Sequence, residues 1–150
     1  NGKIIQSGKT SEIYNHPGSE FVANFVGTET ILEGTVESCS EGNIIVSVQG
    51  KEIEAIGACS MGQKVFCCLR PENVTISSRV QEKISARNIL EAKVTKVIRQ
   101  GFFNKLILDC GFPLVAYITI PSFDDLGITQ GTIVIASFKA TSVHVIPREK

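Results

Sequence analysis

The feature that most constrains this chain is a two-residue alternation of apolar and polar side chains. It comes in short runs cut by glycine, from Thr28 almost to the C-terminus. That period sends successive side chains to opposite faces of a strand and does not fit the stripe of a helix. It predicts strands over 31–38, 43–48, 52–56, 64–69 and 73–77, then over 85–97, 103–109, 114–119, 133–138 and 142–146. One helical turn, Ser122-Phe123-Asp124-Asp125-Leu126, interrupts the second set, with Pro121 before it and Gly127 after. Five short strands, twice over, point to a mainly β chain with two small OB-like Greek-key barrels in tandem.

The two sets read as copies. Leu32-Glu33-Gly34-Thr35-Val36 echoes Leu90-Glu91-Ala92-Lys93-Val94. Leu69-Arg70-Pro71 with Val74-Thr75-Ile76 echoes Phe138-Lys139-Ala140 with Val143-His144-Val145, which places Arg70 where the second copy has Lys139. The residues before Leu32 set Glu29 against Arg87. The expected boundaries are a tail at 1–27, a first barrel at 28–80 and a second at 81–150.

Two stretches of the second copy carry the chemistry. Ser85-Ala86-Arg87-Asn88-Ile89-Leu90 and Ala136-Ser137-Phe138-Lys139-Ala140-Thr141-Ser142 each set hydroxyl or small residues beside one cation. Neither contains a carboxylate to neutralise that cation internally. Arg87 offers a planar fork of donors, Lys139 a point charge, and small neighbours let backbone N–H groups approach. Such a set suits a small oxyanion held by charge-assisted hydrogen bonds. Taken singly, each motif reads better as a solvated cation beside strand-edge hydroxyls; it is the motifs together that point to an oxyanion.

Composition excludes several other classes. Fifteen basic and fifteen acidic residues cancel, so no global field gathers nucleic acid or an anionic membrane, and no apolar run is long enough to span one. Phe102-Phe103 reads as a hydrophobic hairpin contact rather than a base-stacking platform. The five cysteines have no C-x-x-C spacing and read as buried, reduced thiols without a metal. His16 and His144 have no evident partner for acid–base or nucleophilic chemistry, so no enzyme is expected.

Residues 1–27 follow a different pattern: a short strand at 3–8, then two short helices, the second with Phe21 and Phe25 on one face. The pieces Gly2-Lys3-Ile4-Ile5-Gln6-Ser7-Gly8, Glu12-Ile13-Tyr14-Asn15-His16-Pro17 and Phe21-Val22-Ala23-Asn24-Phe25-Val26-Gly27 resemble the end of the nucleotide-binding domain of importer-type ABC ATPase subunits. A phosphate loop of G-x-x-x-x-G-K-[ST] form is lacking, and the chain opens on Asn1-Gly2-Lys3, so a piece of a longer protein is expected. ATP and magnesium would then belong to the remaining domain.

The second copy resembles the Mop type of TOBE domain, a molybdate- and tungstate-binding barrel. The resemblance rests on Ser85-Ala86-Arg87-Asn88, Ile118-Thr119-Ile120-Pro121-Ser122 with Leu126-Gly127, and Ser137-Phe138-Lys139-Ala140 before Val143. It implies that Ser85, Arg87, Thr119, Ser122 and Lys139 supply donors to the anion and that Ala140 lends its backbone N–H. It further implies a non-catalytic regulatory region that senses cytoplasmic oxyanion and inhibits transport. The implied setting is a homodimer, peripheral to the inner membrane, partnered by a membrane permease. Arg70-Pro71-Glu72-Asn73 resembles the regulatory domains of many ABC ATPases, and a structural turn is expected there. A sugar-importer-type regulatory domain without an anion, or a molybdate storage protein, are the alternatives.

Overall fold

A computed structural model describes residues 27–148; the expected strand at 3–8 and the two helices of the tail lie outside the described residues. The described chain is mainly β, with ten strands: β1 (Thr30–Ser40), β2 (Asn43–Val48), β3 (Lys51–Ile56), β4 (Lys64–Leu69), β5 (Thr75–Ser77), β6 (Asn88–Gln100), β7 (Phe103–Asp109), β8 (Pro113–Thr119), β9 (Ile133–Phe138) and β10 (His144–Pro147). A seven-residue helix, α1 (Ile120–Leu126), follows β8, and short 3-10 turns at Pro71–Asn73 and Ala140–Ser142 precede β5 and β10. The ten strands predicted over 31–146 all form. Ser85 and Arg87 precede β6 rather than opening it.

The strands make two five-stranded antiparallel sheets, but the sheets do not follow the chain halves. One runs β10-β4-β1-β2-β3 and the other β5-β9-β6-β7-β8. Each half therefore gives its last strand to the other: β5 pairs with β9 through Thr75 opposite Ser137, and β10 pairs with β4 through His144 opposite Cys68. The 3-10 turns travel with these strands, so Pro71–Asn73 packs on β8 and Ala140–Ser142 on β3.

The registers superimpose the halves residue by residue. Thr30 stands opposite Leu69 as Asn88 stands opposite Phe138, and Gly34 opposite Val65 as Ala92 opposite Val134. The long first strands even share a bulge, between Val36 and Ser38 in one and between Val94 and Lys96 in the other. A bulge bends a strand and increases its twist, which curls each sheet around its own interior.

The alternation buries one face of each strand in a continuous core. Val36, Ile44, Val46, Ile53 and Val65 fill the first half, and Val94, Leu106, Leu108, Leu114 and Val134 the second. Two buried polar side chains clasp the halves. Asn88 accepts from the Glu54 N–H at 2.8 Å and donates to the Glu54 carbonyl at 2.9 Å. Thr30 Oγ1 accepts from the Val115 N–H at 3.1 Å. Each satisfies backbone groups of the opposite half that burial would otherwise leave unpaired at a cost of about 1–3 kcal/mol.

Candidate functional site

Lys139 follows the last residue of β9, where Phe138 buries its ring and turns the chain outward. The backbone at Lys139 stays extended (φ −76°, ψ 147°) before tightening into the Ala140–Ser142 turn, closed by Ser142 N–H to the Lys139 carbonyl at 3.0 Å. Ser85 and Ala86 approach from the connection between β5 and β6. Asn88, locked onto Glu54, fixes where that connection enters the sheet.

These two segments face a cavity of about 470 Å³. Ser85 and Ala86 line it with Ser137, Lys139 and Ser142, and the exchanged strand β5 adds Thr75 and Ser77. Ile84, Ile89 and Ile135 form an apolar margin, while Glu72 and Asn73 bring the Pro71–Asn73 turn to the same wall. The walls thus offer several hydroxyls and one cation, with a single carboxylate. Glu72 is directed partly toward Arg70, whose Nε lies 4.0 Å from its Oε2.

Of the six residues expected from the sequence, Ser85 and Lys139 are brought together here. Ala140 directly follows Lys139 and begins the 3-10 turn. Arg87 is not among the lining residues: its guanidinium, two-thirds exposed, reaches Glu54, with Nε 3.3 Å from Oε2. Glu54 lies 33 residues before Arg87, so the approach of β3 to the start of β6 supplies this partner. Thr119 and Ser122 also stand apart from the cavity. Thr119 caps α1, its hydroxyl accepting from the Ser122 N–H at 3.4 Å. Ser137, Ser142, Thr75 and Ser77 were not singled out as donors. The Ser/Thr-rich run on either side of Phe138 was a signal for the first two, whereas Thr75 and Ser77 reach the cavity only through the strand exchange.

The equivalent position in the first half is built with opposite charge. Glu29, which precedes β1 as Arg87 precedes β6, receives hydrogen bonds from Lys105 Nζ and Tyr117 Oη. Partial burial works against the charged carboxylate there. The two donors and the Lys105 charge outweigh it and hold its pKa below the ordinary value. The Tyr117 ring is propped by Phe103, centroids 4.5 Å apart. Phe102, by contrast, is 96% exposed and makes no hairpin core, against the expectation for that pair. Among the described residues, no group of three or more His, Cys, Asp or Glu is placed to hold a metal ion, and no helix is long and apolar enough to cross a membrane.

Residues 84–145, which carry both cavity-lining motifs, match the TOBE domain family. This segment is a TOBE domain. The whole chain is 38% identical over 147 residues to the molybdate/tungstate import ATP-binding protein WtpC of Pyrococcus horikoshii, and 33% identical over 145 residues to that of Pyrococcus abyssi. Those alignments cover 97% and 96% of the chain but only 40% of each relative, so the chain spans less than half their length. In three dimensions, the TOBE domain and the repeat before it are similar to ModG, a cytoplasmic molybdate-binding protein solved with molybdate bound. The TM-score is 0.70 at 20% identity, over 80% of this chain and 97% of that one. The likeness supports the OB-like, two-barrel architecture.

Proposed function

We propose that this chain is the oxyanion-binding regulatory region of a molybdate/tungstate importer's ATP-binding subunit. The anion would be held at the cavity shared by Ser85 and Lys139. The observation that carries this reading is that two motifs far apart in sequence converge on one hydroxyl-rich cavity with a lysine at its edge. Molybdate and tungstate are tetrahedral dianions that only accept hydrogen bonds, so a wall of hydroxyls, backbone N–H groups and cations satisfies them. The names of the two Pyrococcus relatives, and molybdate in ModG, agree with that ligand.

The charge balance bears on assembly. A dianion calls for about two compensating charges, yet the cavity wall contributes Lys139 against Glu72. Arg87 is the nearest reserve in sequence, and its exposed pair with Glu54 is worth only about 0–1 kcal/mol, so a dianion outcompetes it. A second copy presenting its own Arg87, Thr119 and Ser122 completes the donor set, which is why a homodimer belongs to this reading. In the full-length protein the region sits in the cytoplasm beside the nucleotide-binding domain that uses ATP and magnesium, and a membrane permease is the partner. Bound oxyanion favours one arrangement of the paired regions and so restrains uptake. The region itself does no chemistry.

Calorimetric titration with molybdate, tungstate, sulfate and phosphate tests this directly. Micromolar or tighter binding of molybdate or tungstate is expected, about −8 kcal/mol or beyond. Hydrogen phosphate binds more weakly because its O–H meets donors. Equal affinity for phosphate and tungstate, or no heat with any anion, overturns the reading and leaves a sugar-importer-type regulatory domain.

A further inference from the structure

The closed end of the first barrel holds a pair of thiols that the oxyanion reading does not use. Cys39 lies near the end of β1, directly opposite Ile44 of β2. Directly opposed residues of an antiparallel pair carry their side chains on the same face, so Cys39 shares the face on which Ile44 is fully buried. The connection from β3 to β4 crosses this face. One end is anchored by the Gly57 N–H on the Gly42 carbonyl at 2.9 Å. The other is anchored by the Gly62 N–H on the Val36 carbonyl at 2.8 Å and the Val36 N–H on the Gln63 carbonyl at 2.9 Å. The strap passes close under the hairpin, since a Cβ built on Gly57 would stand 3.3 Å from Ile44 Cδ1. Cys59 sits between those anchors, half-buried and packed against the core.

The second half shows what this closure is made of elsewhere. There Val97 takes the place of Cys39, opposite Leu106, and α1 covers the barrel end with Phe123 and Leu126. Val97, Phe123 and Leu126 all pack against the core, an apolar plug. In the first half a shorter connection and two sulfur atoms replace it. Cys39 is exposed, so burial as a small hydrophobe does not account for it. Burial raises the Cys59 pKa, and the nearby Cys39 raises it further, consistent with the two thiols lying within each other's field.

We propose that Cys39 and Cys59 are an oxidisable dithiol that closes to a disulfide on exposure to a peroxide, stapling the strap 57–63 to the β1–β2 hairpin. The exposed Cys39 thiolate attacks the peroxide O–O bond, forming a sulfenic acid and releasing one water once protonated. Cys59 gives up its proton and attacks the sulfenic sulfur, and the departing hydroxide takes a proton to leave as a second water. In sum, two thiols and hydrogen peroxide give one disulfide and two waters. Cys67 stays out of the reaction because burial, with smaller contributions from Cys68 and Cys59, pushes its pKa up to about 12. The staple ties down the strap that leads into β4, the strand that carries both β1 and β10.

The test is to treat the full chain with hydrogen peroxide, digest it without reductant and map linked peptides by mass spectrometry. A Cys39–Cys59 linkage, lighter by two hydrogens and reversed by dithiothreitol, is expected. C39S and C59S should each abolish it while retaining the β circular dichroism of the parent. Cys39 oxidised to sulfenic or sulfinic acid with Cys59 still alkylatable overturns the proposal, as does linkage through Cys39 only between two chains. The oxidised wild type should also melt at a higher temperature than the reduced form, whereas C39S should show no such rise. An unchanged midpoint on full linkage would overturn the stapling role.

Discussion

The first and second barrels share strand order, register, bulge and exchanged edge strand, yet they carry different side chains at equivalent points. Glu29 precedes β1 where Arg87 precedes β6, Arg70 follows β4 where Lys139 follows β9, and Gly34 stands where Ala92 does. At the first of these positions one half binds its neighbour with a carboxylate, the other with a guanidinium. The backbone is thus maintained by features common to both copies, namely alternation, bulge and clasp, while charge is free to diverge. An oxyanion cavity in one copy need not be repeated in the other.

The largest expected effect separates the exchanged strands themselves. Ile146 of β10 and Ser77 of β5 occupy equivalent places, opposite Phe66 and Ile135. Ile146 is buried with Cys68 against Ile31 and Phe66. Ile146→Ala should cost about 2–5 kcal/mol in urea unfolding, and hydrogen exchange should quicken in β4, a strand of the opposite repeat. Ser77→Ala should change stability by less than about 0.5 kcal/mol. Equal costs for the two would show that the Ile146 contacts with Ile31, Phe66 and Cys68 do not hold β10 in place.

Next comes the cation after each fourth strand. Lys139→Ala should weaken tungstate binding by about 1.5–3 kcal/mol, the range for a hydrogen bond to a charged group. Arg70→Ala should leave the number of anion sites per chain at its wild-type value. Calorimetric stoichiometry distinguishes these outcomes, and a site lost with Arg70 would make the two barrels functional equals. Arg87→Ala should fall between them, since its guanidinium must first leave Glu54.

Gly34 sharpens the comparison at a packed position. A Cβ there would lie 2.5 Å from Val46 Cγ1 and 2.7 Å from the Ser47 carbonyl oxygen, which is backbone and gives way poorly. Gly34→Ala should therefore destabilise by about 1–3 kcal/mol. The reverse change, Ala92→Gly, should cost only about 0.5–1 kcal/mol through backbone entropy. Thermal or urea midpoints settle the order.

The smallest effect is electrostatic. Against partial burial, Lys105 and Tyr117 hold the folded-state pKa of Glu29 below its ordinary value, so its contribution is fully present above that ordinary value and is lost as pH falls through the lower, folded value. Glu29→Gln should reduce stability at neutral pH by less than about 1 kcal/mol and flatten the acid limb of the stability curve. An unchanged slope between pH 5 and 2 would deny Glu29 this role.

Much of this architecture was legible in the sequence because alternation is a local signal. Every strand predicted from residue 31 onward formed, and the pairing of Leu32 with Leu90 and of Arg70 with Lys139 in the repeat alignment recurs in the registers. The exchange of β5 and β10 was not legible: the same strand pattern satisfies either barrel, and sequence gives no preference between near-identical partners. For the same reason the contribution of Thr75 and Ser77 to the cavity was hidden, as was Glu54 beneath Arg87. The expectation of uniformly buried cysteines holds at Cys67, Cys68 and Cys110 but failed at Cys39, near the end of β1, and in part at half-buried Cys59, on the connection between β3 and β4.

The exchange also governs how such a molecule can be divided. A cut in the 78–87 connection separates the chain into two polypeptides, each still holding the edge strand that the other lacks. The connection contributes no sheet pairing; it keeps the complementary pieces at high effective concentration. A gene encoding one repeat alone would have to recruit a second copy for its missing strand, as swapped dimers do. Duplication and fusion would then leave the topology intact and release each copy to change its surface charge independently.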